Sequence, residues 1–409
     1  MKKPHVIIIG GGASGLMAAI VAAREGATVT LIEQKDRVGK KILSTGNGRC
    51  NLTNSNMTKE CFRGDDTSIV SNVLKQFDEK DTLRFFEELG VILKERQGYF
   101  YPISDQAGTI LDVLRMEIEN LKIETVLEQK VTQVEKKDHA FYVKTSSSSY
   151  VGDAVILATG GCAAPILGSD GSGYDLAKSF GHRLSPVVPA LVQLVGKGDF
   201  FKQIAGVRTQ AKVSLYVENY LAGCDTGELQ LTDYGISGIP VFQISRFAAK
   251  GLYAKKKVIA EIDFLPTMNE KDFSTYFMER LRVHGWKTAE SFLIGMFHKK
   301  IIQMLLKKAN IPVSQVMQTI DKERLQVFLD LCKHFKLEIV GTKGFEQAQV
   351  CAGGILTKEV NPETLESIYE KNLYFTGELL DIDGICGGYN LQWAWSTGFI
   401  AGKSAAKGK

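Results

Sequence analysis

The chain has 409 residues, 44% of them hydrophobic, and a net charge of +4. That length is more than one small core can use and points to two or three domains, and the composition is that of a globular protein rather than a disordered or fibrous one. The small charge singles out no polyanionic partner, and seven scattered cysteines without a C-x-x-C spacing suit a reducing cytoplasm better than a disulfide scaffold.

Val6-Ile7-Ile8-Ile9 is an uninterrupted β-branched run, as expected of a strand buried on both faces. Gly10, Gly12 and Gly15 follow in the G-x-G-x-x-G pattern, with Ala13 and Ser14 between them. Leu16, Ala19, Ile20 and Ala23 then recur at helical spacing, Thr28 to Ile32 reads as a second strand, and Glu33 stands at its end. Strand, glycines, helix, strand and acid in this order make a dinucleotide-binding fingerprint. Gly10 permits the tight turn, Gly12 the approach of a pyrophosphate, and Gly15 close helix–strand packing. The helix N-terminus offers free N–H groups and partial positive charge to the phosphates. Glu33 suits a ribose diol and would repel a 2′-phosphate. The fingerprint alone leaves FAD and NAD both open. Lys2-Lys3 ahead of eighteen uncharged residues, Val6 to Ala23, imitates a leader or membrane helix, but the glycines at 10, 11, 12 and 15 interrupt it.

After Glu33, Gln34 and Lys35 begin a loop that runs to Asn54, dense in Gly, Asn, Ser and Thr yet carrying basic residues. Its placement suits a backbone that embraces an anionic cofactor, with Arg49 adding charge. Residues 68–89 have a helical apolar stripe, Gly98 to Ser104 an aromatic turn, Ala107 to Leu121 a further helix, and 122–151 the alternation of a β-meander. Ala154 to Leu157 is a buried strand that leads into Ala158-Thr159-Gly160-Gly161. The glycines of Gly168 to Gly173 have the wrong spacing for a second nucleotide fold. Short strands are expected at 187–195, 211–217, 229–231, 240–244 and 258–262, and helices over 270–335. Leu373 to Glu378 reads as a strand that stops on an acid. Gly387-Gly388-Tyr389-Asn390-Leu391 opens a last helix, in which Ala394, Gly398 and Ala401 are small enough for another backbone to lie close.

Four separated motifs, the N-terminal fingerprint, Thr45-Gly46-Asn47-Gly48-Arg49-Cys50-Asn51, Ala158 to Gly161, and Gly377-Glu378 to Asn390, form one pattern. Together they resemble the bacterial two-dinucleotide-binding-domain flavoprotein family that includes aminoacetone oxidases and the bile-acid-pathway reductase BaiN. The resemblance implies non-covalent FAD held by both ends of the chain. By position, Gly10, Gly12, Ser14 and Gly15 would face the pyrophosphate and Glu33 the adenosine ribose. Val131 would meet the adenine through its backbone. Lys41, Gly48, Arg49, Cys50 and Asn51 would lie along the ribityl and flavin region, with Thr159 and Gly160 lining the cofactor and Glu378 near the ribityl chain. It also implies an α/β fold, a Rossmann-like three-layer FAD domain of residues 1–186 plus 345–409. A β-barrel of 187–265 plus 336–344 and a helical part of 266–335 would be inserted into it.

The expected chemistry is hydride transfer through the flavin, with N–H groups of Gly387 and Gly388 stabilising the reduced ring. Tyr99, Tyr101, Tyr234 and Tyr389 are the candidate proton donors, and no His/Cys/Asp spacing suggests a metal. The reading preferred is reduction of a C=C bond conjugated to a carbonyl, on a 3-oxo bile acid or other steroid-like substrate, with NADH or NADPH as a transient donor. An oxygen-dependent oxidase of a small amine and a flavoprotein that binds RNA or a partner protein are the alternatives. The expected partner is a small molecule, with neither nucleic acid nor membrane.

Overall fold

In the computed structural model the described residues are 3–407, so Lys2 of the leader-like segment lies outside them. The chain divides into two compact units, Met1–Val188 with Gln349–Lys409, and Pro189–Ala348.

The first unit is built on five parallel strands. They are β1 (His5–Ile9), β2 (Thr28–Ile32), β3 (Glu124–Val126), β4 (Ala154–Leu157) and β5 (Leu373–Phe375), in the spatial order β5-β4-β1-β2-β3. β1 is central, and Val6, Ile7 and Ile8 are fully buried, which explains why its sequence lacks the alternation of a one-sided strand. α1 (Ala13–Arg24) follows β1, and α2 (Tyr389–Ala406), the last helix, packs along it. Gly398 and Gly402 make that approach possible: a Cβ would stand 2.4 Å from Ser14 O at the first and 2.6 Å from Ala18 O at the second. The start and end of the chain are thereby fused into one core with β5 and β1.

Two expectations in this unit are corrected. Residues 68–89 form two helices, Ser68–Gln76 and Glu79–Glu88. Asp78 divides them, because its carboxylate caps the N–H groups of Lys80 and Asp81 and Asp81 reciprocates in a capping box. The aromatic turn is a hairpin, Leu93–Arg96 paired with Tyr99–Pro102, turning through Gln97 and Gly98 at positive φ.

The second unit is a closed six-stranded barrel in the order Leu194–Gly196, Gly235–Ser237, Tyr220–Leu231, Arg208–Val217, Val258–Asp263 and Phe335–Thr342, with helices packed on its core. The strand expected at 240–244 is instead the start of a helix, Ile239–Tyr253. Pro240 sits in its first turn, where the missing N–H costs nothing, and Val241, Ile244 and Ala248 bury one helical face. The apolar run matched a strand locally; its 3–4 spacing belongs to the helix.

Candidate cofactor cleft

The β1–α1 turn is tight. Gly10 (φ +107°) donates to Ile32 O at 2.8 Å, and a Cβ there would meet Ala158 O at 2.5 Å. A Cβ on Gly15 would stand 1.9 Å from Gly10 O, whereas one on Gly12 would have nothing within 4 Å. The turn is thus closed toward the protein and open at Gly12. No side chain caps α1 and its first turn carries no acid, so the N-terminal N–H groups and their partial charge are left for a ligand. Glu33 is buried. Its Oε2 accepts from Gly11 N–H at 2.8 Å and its Oε1 from Lys35 N–H at 2.9 Å. Burial pushes this carboxyl above its ordinary range against those backbone hydrogen bonds.

The C-terminal half closes on the same place. Thr376 Oγ1 lies 3.1 Å from Ser14 Oγ, Gly377 N–H donates to Thr397 Oγ1 at 2.9 Å, and Trp393 Nε1 donates to Gly377 O at 3.0 Å. α2 resembles α1 in having neither a side-chain cap nor an acid in its first turn. Gly388 N–H is taken within the protein, however. The Asn51 amide, oriented to donate to Thr53 O at 3.0 Å, accepts from it at 3.2 Å. Glu378 is ion-paired with Lys41 at 2.8 Å, and its Oε1 accepts from Cys351 N–H at 2.6 Å.

A cleft opens where these segments meet. Gly10, Gly12, Ala13, Ser14, Glu33 and Gln34 line it from the fingerprint. Lys41, Val131, Ala158, Thr159 and Gly160 line it from the middle of the chain, and Gly377, Glu378, Asn390 and Leu391 from the end. Gly15, Lys35, Gly48, Arg49, Cys50, Asn51, Gly387, Gly388 and Tyr389 are not in the wall; of the Thr45–Asn51 loop only Thr45 reaches it. Cys50 is wholly buried, its thiol pushed up to about 12 by desolvation. Sequence reasoning missed Arg37, Lys40 and Lys130, and it missed the loop of Gly168, Ser169 and Ser172. The last was set aside for its glycine spacing, yet Gln34 Nε2 donates to Gly168 O at 2.6 Å, which docks that loop beside Glu33. Two uncapped helix starts, a buried carboxylate after β2 and three added cationic residues are a donor set that fits FAD, an anionic dinucleotide with a ribose diol.

The four tyrosines separate. Tyr389 is buried, its ring edge-on to Phe62 at 6.0 Å; desolvation pushes its hydroxyl far up, with Cys61 hydrogen-bonded to it. It is a core residue. Tyr234 lies in the barrel unit with Lys343 Nζ 4.5 Å from its ring centroid. Tyr99 and Tyr101 are half-buried on the hairpin, where Arg96 pairs across from Tyr99 and Lys94 from Tyr101, so the four share one face. Asn54 pairs with Tyr99 on the other side and its Nδ2 donates to Gly387 O at 3.0 Å, which fixes the hairpin to the turn before α2. Burial, then the neighbouring Tyr99, raises the Tyr101 hydroxyl, while Arg49 and Arg96 act to lower it. Among the described residues no cluster of His, Cys, Asp and Glu could hold a metal ion, and no helix is long and apolar enough to cross a membrane.

Fold and cleft together define a dinucleotide-binding protein of the Rossmann type. The chain belongs to the family described as HI0933-like protein Rossmann domain, which matches residues 4–404. It is 50% identical to the 3-dehydro-bile acid delta(4,6)-reductase of Clostridium scindens, over 98% of both chains. It is 29% identical to the ribosomal RNA dihydrouridine synthase of Haemophilus influenzae over 98% of both chains, and 27% identical to that of Escherichia coli over 100% of both.

Proposed function

We propose that this chain is an FAD-dependent reductase of a C=C bond conjugated to a carbonyl, with a 3-oxo bile acid or closely related steroid as substrate. The observation that carries the reading is 50% identity, end to end, with a reductase of that substrate class. The second relative class supports the reaction type. Forming dihydrouridine also saturates a C=C bond next to a carbonyl, so two distant substrates share one transformation. When bound, FAD supplies the hydride, delivered to a carbon conjugated with the carbonyl, and NADH or NADPH is the proposed source of reducing equivalents.

The chain has three tasks. The start of α1, Glu33 and Val131 hold the adenosine and pyrophosphate end. Asn390 and Leu391, in the uncapped first turn of α2, aim their N–H groups and helix charge at the redox end. The hairpin face of Tyr99 and Tyr101, flanked by Arg49 and Arg96, receives the substrate. There positive charge offsets the oxygen that becomes negative as hydride adds, and a tyrosine hydroxyl returns a proton to the carbon next to the carbonyl.

The test is anaerobic. The reduced protein is mixed separately with a 3-oxo-Δ4,6 bile acid and with a uridine-containing ribosomal RNA fragment, and the oxidised protein with aminoacetone, while the flavin spectrum is followed. Reoxidation by the steroid acid alone is expected. Reoxidation by the RNA alone would move the chain to the second class. Bleaching of the oxidised flavin by aminoacetone, with no response to the steroid acid or the RNA and rapid reoxidation by oxygen, would make it an oxidase and sink the proposal.

A further inference from the structure

Cys162 and Cys351 are 189 positions apart in the chain and meet beside the cleft. Cys162 N–H donates to Cys351 Sγ at 3.0 Å, and the two thiols act directly on one another. Gly161 makes the approach possible, since a Cβ there would stand 3.1 Å from both Cys351 Sγ and Tyr174 Oη. The two sulfurs differ in setting. Cys351 is buried, its backbone N–H held by Glu378 Oε1, and desolvation drives its thiol well up. Cys162 is half-buried and within reach of a small solute; its hydrogen bond with Cys351 draws its thiol below the ordinary range. One accessible, more acidic thiol backed by a second is the arrangement of an attacking and a resolving cysteine. Of the remaining five, Cys50, Cys61 and Cys332 are buried, and Cys61 Sγ donates to Asn56 O at 3.4 Å.

We propose that Cys162 and Cys351 form a peroxide-oxidisable dithiol whose disulfide staples two walls of the cofactor cleft. The Cys162 thiolate attacks one oxygen of hydrogen peroxide. The O–O bond breaks, one water leaves after taking up a proton, and Cys162 becomes a sulfenic acid. Cys351 Sγ then attacks the Cys162 sulfur, the S–O bond breaks, and a second water leaves. In sum two thiols lose two protons and two electrons, and one peroxide becomes two waters. The bond would join the segment that contributes Gly160, Gly168 and Ser169 to the cleft with the segment that contributes Gln349 and Val350. A covalent tie between these segments opposes the local opening through which a bound dinucleotide leaves. Only this retention effect rests on the cofactor reading; the disulfide itself does not.

The experiment uses the FAD-loaded protein treated with hydrogen peroxide and digested without reductant. Mass spectrometry is expected to find a peptide pair joined through Cys162 and Cys351, lost on adding dithiothreitol and absent from C162S and from C351S. FAD release from the oxidised protein should be severalfold slower than from the reduced protein. Cys162 untouched, carried on to sulfinic acid, or joined to another cysteine would overturn the dithiol. A correct cross-link with unchanged FAD release would overturn the staple, whatever substrate the enzyme reduces.

Discussion

Gly398→Ala adds a single methyl group to α2, and its sign is decided by what that methyl meets. In a helix interior alanine is favoured over glycine by about 1 kcal/mol. At Gly398 the new Cβ would stand 2.4 Å from Ser14 O and 3.0 Å from Met17 Cβ, and a backbone oxygen cannot swing aside as a side-chain tip would. Overpacking of this kind costs about 1–3 kcal/mol, so the expected balance is a net loss of about 1 kcal/mol. Ser14 belongs to the first turn of α1, so displacement reaches the cofactor cleft as well. The matched control is Gly108→Ala, in the helix Ala107–Asn120, where a Cβ would have nothing within 4 Å. There the propensity gain stands alone, up to about 1 kcal/mol. Thermal unfolding of both variants, followed by circular dichroism and by FAD release, separates the two effects. G398A should melt below wild type and lose FAD sooner, and G108A should melt at or above it. G398A as stable as G108A, with FAD held as in wild type, would refute the packing of α1 on α2 as described.

Further outcomes follow from other parts of the site. Glu33→Ala removes a charged acceptor of two backbone hydrogen bonds as well as the ribose partner, and such bonds are worth about 1.5–3 kcal/mol. FAD binding, measured by fluorescence titration, should weaken roughly ten- to a hundredfold. Tyr389→Phe should leave turnover within about twofold, since its hydroxyl serves the core, whereas Tyr101→Phe should lower kcat by about a hundredfold if it supplies the proton. Equal, small effects in steady-state kinetics would remove Tyr101 from the reaction. Burial holds the His182 imidazole below its ordinary 6.5, with the nearby Glu359 opposing. As pH falls through that value the unfolded chain takes up the proton first, so stability is flat above it and declines below, toward the lower folded value. Denaturation profiles between about pH 7 and 5 should show that decline in wild type and lose it in His182→Gln.

The first half of the cleft was legible because its physics is local. A β-branched run, three glycines and an acid sit within thirty residues, and each requirement acts on a neighbour in the chain. The C-terminal half was legible only as motif, since nothing near Glu378 in sequence announces that it pairs with Lys41 or holds Cys351 N–H. The Gly168–Ser169 loop was hidden for the same reason: the hydrogen bond from Gln34 to Gly168 O bridges 134 positions. Pro240 to Ile244 misled because a short, mostly apolar run looks the same as a strand or as the first turns of a buried helix. Tyr389 pointed elsewhere than its place at the start of α2 suggested, since its ring packs edge-on to Phe62 and its hydroxyl meets Cys61.

The central claim is that the two ends of this chain form one cradle for FAD. It is tested most directly by denaturing the purified protein, separating the released small molecules and identifying the cofactor. The account requires FAD, freed without proteolysis, at about one per chain, and depleted in Glu33→Ala. Protein that carries NAD, a covalently attached flavin, or no dinucleotide even after incubation with FAD would contradict it.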